Sequence, residues 1–196
     1  MIIHIGLHKT GTTFLQRQVF AYINKDIISE ESLSGYPINS SKIEYEKRMM
    51  LLMGIHRMYG RKTKIILGVR DKDSWTKSCY NQYIYGGLGG FYNYKKWFDN
   101  VFDKRLLDFD SYISFINNNF DNVFIYNFED FVKDKHKVIQ EMLKFMGVDS
   151  ITVDKILNNL SDKIYNRRLG VLSLQVFRLN NFLKELYKYV INFGRV

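Results

Sequence analysis

A chain of 196 residues, 46% hydrophobic and 16% aromatic, can bury one full core, and a single proline leaves no linker to divide it, so one domain over 1–196 is expected. The formal net charge of +9 favours anionic partners without choosing among a nucleotide, an acidic glycan and nucleic acid. The lysines are dispersed and no DNA- or RNA-binding motif is present, which argues against nucleic acid. One cysteine, Cys79, excludes an internal disulfide, and no apolar run approaches the ~18 residues of a membrane span. With neither a basic N-terminal segment nor the apolar stretch of a signal peptide, a cytoplasmic location is expected.

The apolar run 2–5, ended by Gly6, reads as a buried strand. Gly6, Gly11, Thr12 and Thr13 then lead into an amphipathic stretch with Phe14, Leu15, Val19, Tyr22 and Ile23 at helical spacing. Strand, glycine loop and helix start together make an anion site. Peptide N–H groups, the positive end of the helix dipole, the hydroxyls of Thr10, Thr12 and Thr13 and the Lys9 ammonium can converge on a phosphate or sulfate, and Gly11 lets the backbone come close. Gly6 and Gly11 keep the spacing of a Walker A loop, but Thr12 stands where its lysine belongs. A small P-loop kinase is therefore the disfavoured alternative.

The pattern GLHKTGTT after a first strand resembles instead the 5′-phosphosulfate loop of sulfotransferases that use 3′-phosphoadenosine 5′-phosphosulfate (PAPS), whose form is close to KTGTT or KSGTT. Ile27 and Ile28 read as a short second strand, followed by a Ser/Glu loop to Gly35 on the rim where Lys9 lies. Residues 28–35 resemble the ISxEsLSG stretch of small bacterial sulfotransferases, with Glu31 at the glutamate position. A carboxylate there can take the proton of an acceptor hydroxyl, while an acidic cap is its bland reading.

Residues 43–59 read as a helix with Met49, Met50, Leu52, Met53 and Ile55 near one face, the methionines as core and His56 on the polar side. The third strand is 64–70, with Arg70 at its end and a helix through Ser78, Tyr80 and Tyr83 beyond it. Arg70 and Ser78 match the VRxPxxxxxSxY form of the same family, with Lys72 in place of the proline; the resemblance implies that both hold the 3′-phosphate. A guanidinium that grips phosphate bidentately and a hydroxyl donor suit that task, and an arginine paired with Asp71 or Asp73 is the alternative.

Glycines at 86–90 mark a turn, and Phe91, Tyr92, Tyr94, Trp97 and Phe98 after it either stack on a ligand or pack in the core. A helix follows at 109–119, and a fourth strand with its exit at 122–131 resembles the family's VxxYExL segment. Glu129 and Asp130 are expected to cap a helix over 133–146, with Gly147 as C-cap. A late basic loop, with Asn166, Arg167 and Arg168 at the place of the family's N-x-S-L-like segment, is expected to add charge near the 3′-phosphate. A long helix over about 172–191 closes the chain, its apolar residues serving as core or a partner face.

The strand and helix order gives a three-layer α/β/α fold around a parallel sheet, P-loop-NTPase-like. The resemblance implies sulfuryl transfer from PAPS to a hydroxyl, on a carbohydrate, with Glu31 as base, Lys9 and the loop at the leaving phosphate, His8 as a secondary catalytic or loop residue, and no metal. A PAPS-binding protein without catalysis is the other alternative, and the oligomeric state stays open.

Overall fold

The computed structural model describes residues 1–38, 43–86, 90–161 and 170–193, with backbone alone at 171 and 189–193. In chain order the elements are β1 (Ile2–Gly6), α1 (Thr12–Gln18), β2 (Ile27–Ser29), α2 (Glu44–Tyr59), β3 (Lys64–Val69), α3 (Lys72–Tyr85), α4 (Tyr94–Asn100), α5 (Phe109–Asn119), β4 (Asn122–Asn127), α6 (Phe128–Lys133), α7 (Lys135–Met146), α8 (Ser150–Asn158) and α9 (Val171–Phe193). The strands form one parallel sheet in the order β2-β1-β3-β4, with Ile2 opposite Ile27, Gly6 opposite Gly68 and Gly68 opposite Tyr126.

Side chains alternate between the faces of each strand, which sorts the apolar residues into two cores. Ile3, Ile5, Ile65 and Leu67 enter one with Leu52 and Ile55 of α2, Trp75 and Cys79 of α3, Trp97 of α4 and Tyr112 and Ile116 of α5. Ile2, Ile66 and Tyr126 enter the other with Phe14 and Leu15 of α1, Ile139 and Met142 of α7 and Ile156 of α8. The result is the expected three-layer fold. The chain leaves β1 for β2 on one side and β3 for β4 on the other, so the carboxyl ends of β1 and β3 flank the switch point at which open α/β sheets bind ligands.

Short polar side chains set most helix starts: Asp71, Asn93, Asp108, Asn127, Asp134 and Asp149 each accept a hydrogen bond from a peptide N–H of the first turn that follows. This corrects the expected capping at the β4 exit. Asn127 caps α6, which occupies the expected strand exit, and Asp134 starts α7 by taking the Lys137 N–H, so the expected helix over 133–146 is capped by Asp134 and not by Glu129 or Asp130. The first helix ends at Gln18 in a 3-10 turn, leaving Tyr22 exposed. On α2 the expectation of methionine core holds only at Met49, which packs half-buried against the first core: Met50, Met53 and Met58 are exposed, and the inward line is Glu44, Arg48, Leu52 and Ile55. Arg48 is tolerated there because its guanidinium lies over the Tyr112 ring, 4.1 Å from the centroid, and donates to the Leu106 carbonyl at 3.2 Å. The aromatic run after the glycine turn supplies core at Trp97, and α8 is a helix that the sequence reading lacked.

Candidate functional site

The loop between β1 and α1 is clamped through its carbonyl oxygens. Leu7 O accepts from the Thr10 N–H and, at 2.6 Å, from the Thr10 hydroxyl. His8 O accepts from the Trp75 indole at 2.7 Å, Lys9 O from Arg70 Nη1 at 3.0 Å, and Thr10 O from the Tyr126 hydroxyl at 3.0 Å. Trp75, Arg70 and Tyr126 thus hold three successive carbonyls, and Thr10 of the loop itself holds the one before them. A peptide unit is planar and trans, so the N–H after each inward carbonyl points the opposite way. Among the described residues the amides of His8, Lys9 and Gly11 make no backbone hydrogen bond, whereas those of Leu7 and Thr10 donate to Gly68 O and Leu7 O, so three amides of the loop are left for an anion.

Lys9 and Gly11 take left-handed backbone angles, φ 68° and 89°, which turn the chain sharply enough for this. For Lys9 that conformation costs on the order of 1 kcal/mol, sustained by the bonds to its own and its neighbours' carbonyls. Beneath the loop the two paired glycines leave room: a Cβ at Gly6 would collide with Thr12 Oγ1, and one at Gly68 with the Tyr126 hydroxyl and Thr10 Oγ1.

Tyr126 belongs to a buried polar chain under the loop. Because its hydroxyl donates to the Thr10 carbonyl, its oxygen must accept from His4 Nε2 at 3.2 Å, and His4 Nδ1 must then accept from the Ser29 hydroxyl at 2.8 Å. His4 is fully buried, and burial pulls its pKa down to about 4 against the opposing charge of Glu31, so the imidazole is neutral at neutral pH. Burial likewise raises the Tyr126 phenol, which keeps its proton for Thr10.

Glu31 opens a 3-10 turn after β2. Ser34 fastens that turn by donating to Gly6 O and Glu31 O, and the Glu30 N–H donates to His4 O, so the carboxylate is carried over the end of β1. Glu31 Oε2 lies 3.1 Å from His8 Nδ1, a close contact whose angle falls short of a hydrogen bond; the side chains are 27% and 3% exposed. Burial pushes the Glu31 carboxyl up, but His8, the Thr12 hydroxyl and the Lys9 charge together hold it below the ordinary glutamate value. Both ring nitrogens of His8 and Thr12 Oγ1 are buried and complete no hydrogen bond among the described residues. The Tyr36 ring meets His8 edge-on with centroids 5.0 Å apart.

Arg70 leaves the end of β3 beside the loop. It donates from Nε to Ser74 Oγ at 2.7 Å, lies over the Phe128 ring, and stands 3.7 Å from Glu129 Oε1. Glu129 also accepts from Ser74 Oγ and the Asp71 N–H, so the arginine's acidic neighbour is Glu129, not Asp71 or Asp73. Ser78 is buried one helical turn beyond Ser74 on the same face of α3, and Tyr80 is buried with its hydroxyl on Tyr92 O.

The structure therefore brings His8, Lys9, Gly11, Thr12, Thr13, Glu31 and Arg70 around one loop. Thr10 differs from expectation in its role: wholly buried, it spends its hydroxyl on Leu7 O and shapes the loop from inside. Asn166, Arg167 and Arg168 lie outside the described residues. Sequence reading missed Trp75, Ser74, Tyr126 and His4. A polar His4 at an inward position of an otherwise apolar strand was the available signal for the last; the others carry no local sign. Among the described residues no cluster of metal-ligating side chains occurs, and no helix is long and apolar enough to cross a membrane.

No protein-family model and no curated protein sequence matches the chain. Among solved structures it is similar to a sulfotransferase from Alicyclobacillus acidocaldarius, with a TM-score of 0.53 and 13% identity over 92% of this chain and 91% of that one. The mouse sulfotransferase SULT7A1 complexed with PAP aligns at 20% identity and a TM-score of 0.43, over 82% of this chain and 63% of that one. The chain has a sulfotransferase-like fold.

Proposed function

We propose that this chain transfers the sulfuryl group of PAPS to an acceptor hydroxyl, with carbohydrate as the acceptor class. The observation that carries the reading is the loop at 7–11, whose carbonyls are tied to the body while the amides of His8, Lys9 and Gly11 make no backbone hydrogen bond among the described residues, with Glu31 across the same rim. Loop amides without a backbone partner and a lysine beside them suit a phosphosulfate. When bound, PAPS supplies the sulfuryl group and leaves as 3′-phosphoadenosine 5′-phosphate.

The chain's own residues then have distinct tasks. Lys9 and the loop amides stabilise negative charge at the leaving phosphate, a contribution of about 10²- to 10³-fold in rate for one well-placed donor. Glu31, kept ionised by its neighbours, accepts the proton of the attacking hydroxyl; it is more exposed than His8, so the carboxylate meets the acceptor and His8 orients it. Arg70 and Ser78 take the 3′-phosphate, which competes with Glu129 for the guanidinium. Asn166, Arg167 and Arg168 add charge there, a role that rests on the sequence resemblance, as does the carbohydrate acceptor.

Calorimetry without magnesium, comparing 3′-phosphoadenosine 5′-phosphate with ADP and AMP, tests this reading. Preference for the 3′-phosphorylated nucleotide, weakened about 10- to 100-fold by Arg70→Ala, is expected for loss of a charged hydrogen-bonding partner. Glu31→Gln should keep that affinity and lose sulfuryl transfer. Binding that ignores the 3′-phosphate, or that takes ATP only with magnesium, refutes the reading in favour of a kinase.

A further inference from the structure

Helix α9 presents an apolar seam that stays exposed among the described residues. Leu172, Val176, Leu179, Leu183 and Leu186 recur at alternating spacings of four and three residues and are between 48 and 84% exposed. The sequence keeps the same spacing at Val190 and Phe193. At 100° per residue these positions lie on one side of the helix, and Leu174 and Asn181 lie diametrically opposite. That opposite side is what holds α9 to the body. Leu174 packs on the first core and Asn181 Nδ2 donates to Ile84 O and Gly90 O at 2.8 and 2.9 Å, while Phe182, on one flank of the seam, meets Phe91 of the body with ring centroids 5.9 Å apart. The seam is therefore turned outward by the same contacts that dock the helix.

A strict 3.5-residue apolar repeat is the pattern by which one helix wraps another, and a flat core contact or a lipid surface does not require it. With Val176 and Leu183 at one kind of heptad position and Leu172, Leu179 and Leu186 at the other, the seam has the valine–leucine arrangement that favours two parallel strands. The flanking positions are Ser173, Gln175, Asn180, Phe182 and Tyr187, all uncharged, so two copies of a chain with net charge +9 meet without like charges along the seam. Arg178, Lys184 and Lys188 sit off the flanks, whereas a membrane-surface helix places its cations beside the apolar stripe. At ordinary side-chain areas the exposed parts of the five seam residues and Tyr187 come to about 600–700 Å² per copy, a ceiling that approaches one side of a stable interface.

We propose that α9 pairs with α9 of a second copy of this chain as a parallel two-stranded coiled coil, making the protein a homodimer. Sedimentation equilibrium across the micromolar range tests it, with circular dichroism confirming that each variant stays folded. The wild type should sediment at twice the chain mass. Leu179→Glu with Leu183→Glu, both on the exposed seam, should weaken association at least ~100-fold, by burying unpaired carboxylates, and Lys184→Glu, off the seam, should leave the dimer intact. Since Cys79 is buried, Leu186→Cys gives a single accessible thiol that should cross-link to its twin under mild oxidation. A monomeric wild type, a dimer indifferent to the seam substitutions, no cross-link at residue 186, or a monomer that uses the seam to bind phosphatidylserine vesicles each overturns the proposal.

Discussion

Acid should destabilise this protein through His4 before its carboxylates titrate. The imidazole is fully buried between Ser29 and Tyr126 and has a pKa of about 4, against 6.5 for the unfolded chain. A histidine whose folded pKa is depressed favours the neutral form, so its contribution is whole above the unfolded value. Below pH 6.5 the unfolded chain takes up a proton that the folded protein refuses, and stability falls until the pH reaches the folded pKa. Linkage gives a loss of about 2 kcal/mol by pH 5 and about 3 kcal/mol by pH 4. The assay is urea unfolding at constant ionic strength from pH 7.5 to 4, for the wild type and for His4→Gln, which lacks a titrating group. The wild-type midpoint should drop steadily below pH 6.5 while that of His4→Gln starts lower and stays nearly flat to about pH 5. A flat wild-type profile between pH 6.5 and 5, or an equal slope in the variant, would refute the buried neutral histidine and the tautomer assigned through Tyr126.

Two other outcomes follow from the clamps around the loop. Trp75→Phe keeps the ring in the core but strips the donor from the His8 carbonyl; it should cost about 1–3 kcal/mol in urea unfolding and weaken 3′-phosphoadenosine 5′-phosphate binding, so full affinity would show that the clamp does not shape the site. Glu129→Gln removes the carboxylate charge 3.7 Å from Arg70 and keeps one oxygen acceptor, enough for either Ser74 or the Asp71 N–H but not both, and it should tighten binding of the 3′-phosphorylated nucleotide several-fold by calorimetry; weaker binding would assign Glu129 to holding Arg70 in place instead.

The backbone plan of the site was legible because it is local. An apolar run, a glycine-flanked loop and a helical repeat occupy the first 23 residues, and neighbours in sequence dictate where the strand ends and the helix begins. The three-layer parallel architecture followed from the order of such segments, and Lys9, Glu31 and Arg70 fell near one another because each ends or follows a strand of the same sheet. Local reading failed where side-chain chemistry competes with periodicity. A helix, α6, formed over residues expected to be the strand exit, because Asn127 caps it, and on α2 the inward line went to Arg48, which found an aromatic cradle on α5, while Met50 and Met53 faced solvent.

What the sequence determined by itself was the strand–loop–helix at the start, the sheet that carries it and a long last helix with apolar residues for the core or a partner. What only the tertiary structure decided was how the loop is held, since its clamps reach across 67 residues from Trp75, 61 from Arg70 and 116 from Tyr126. It also decided that Thr10 works inward, that Ser74 is the serine bonded to Arg70, and that the α9 repeat faces away from the body. A hydrogen bond is specified by position and direction in space, and no spacing along the chain encodes which distant donor arrives beneath a given carbonyl.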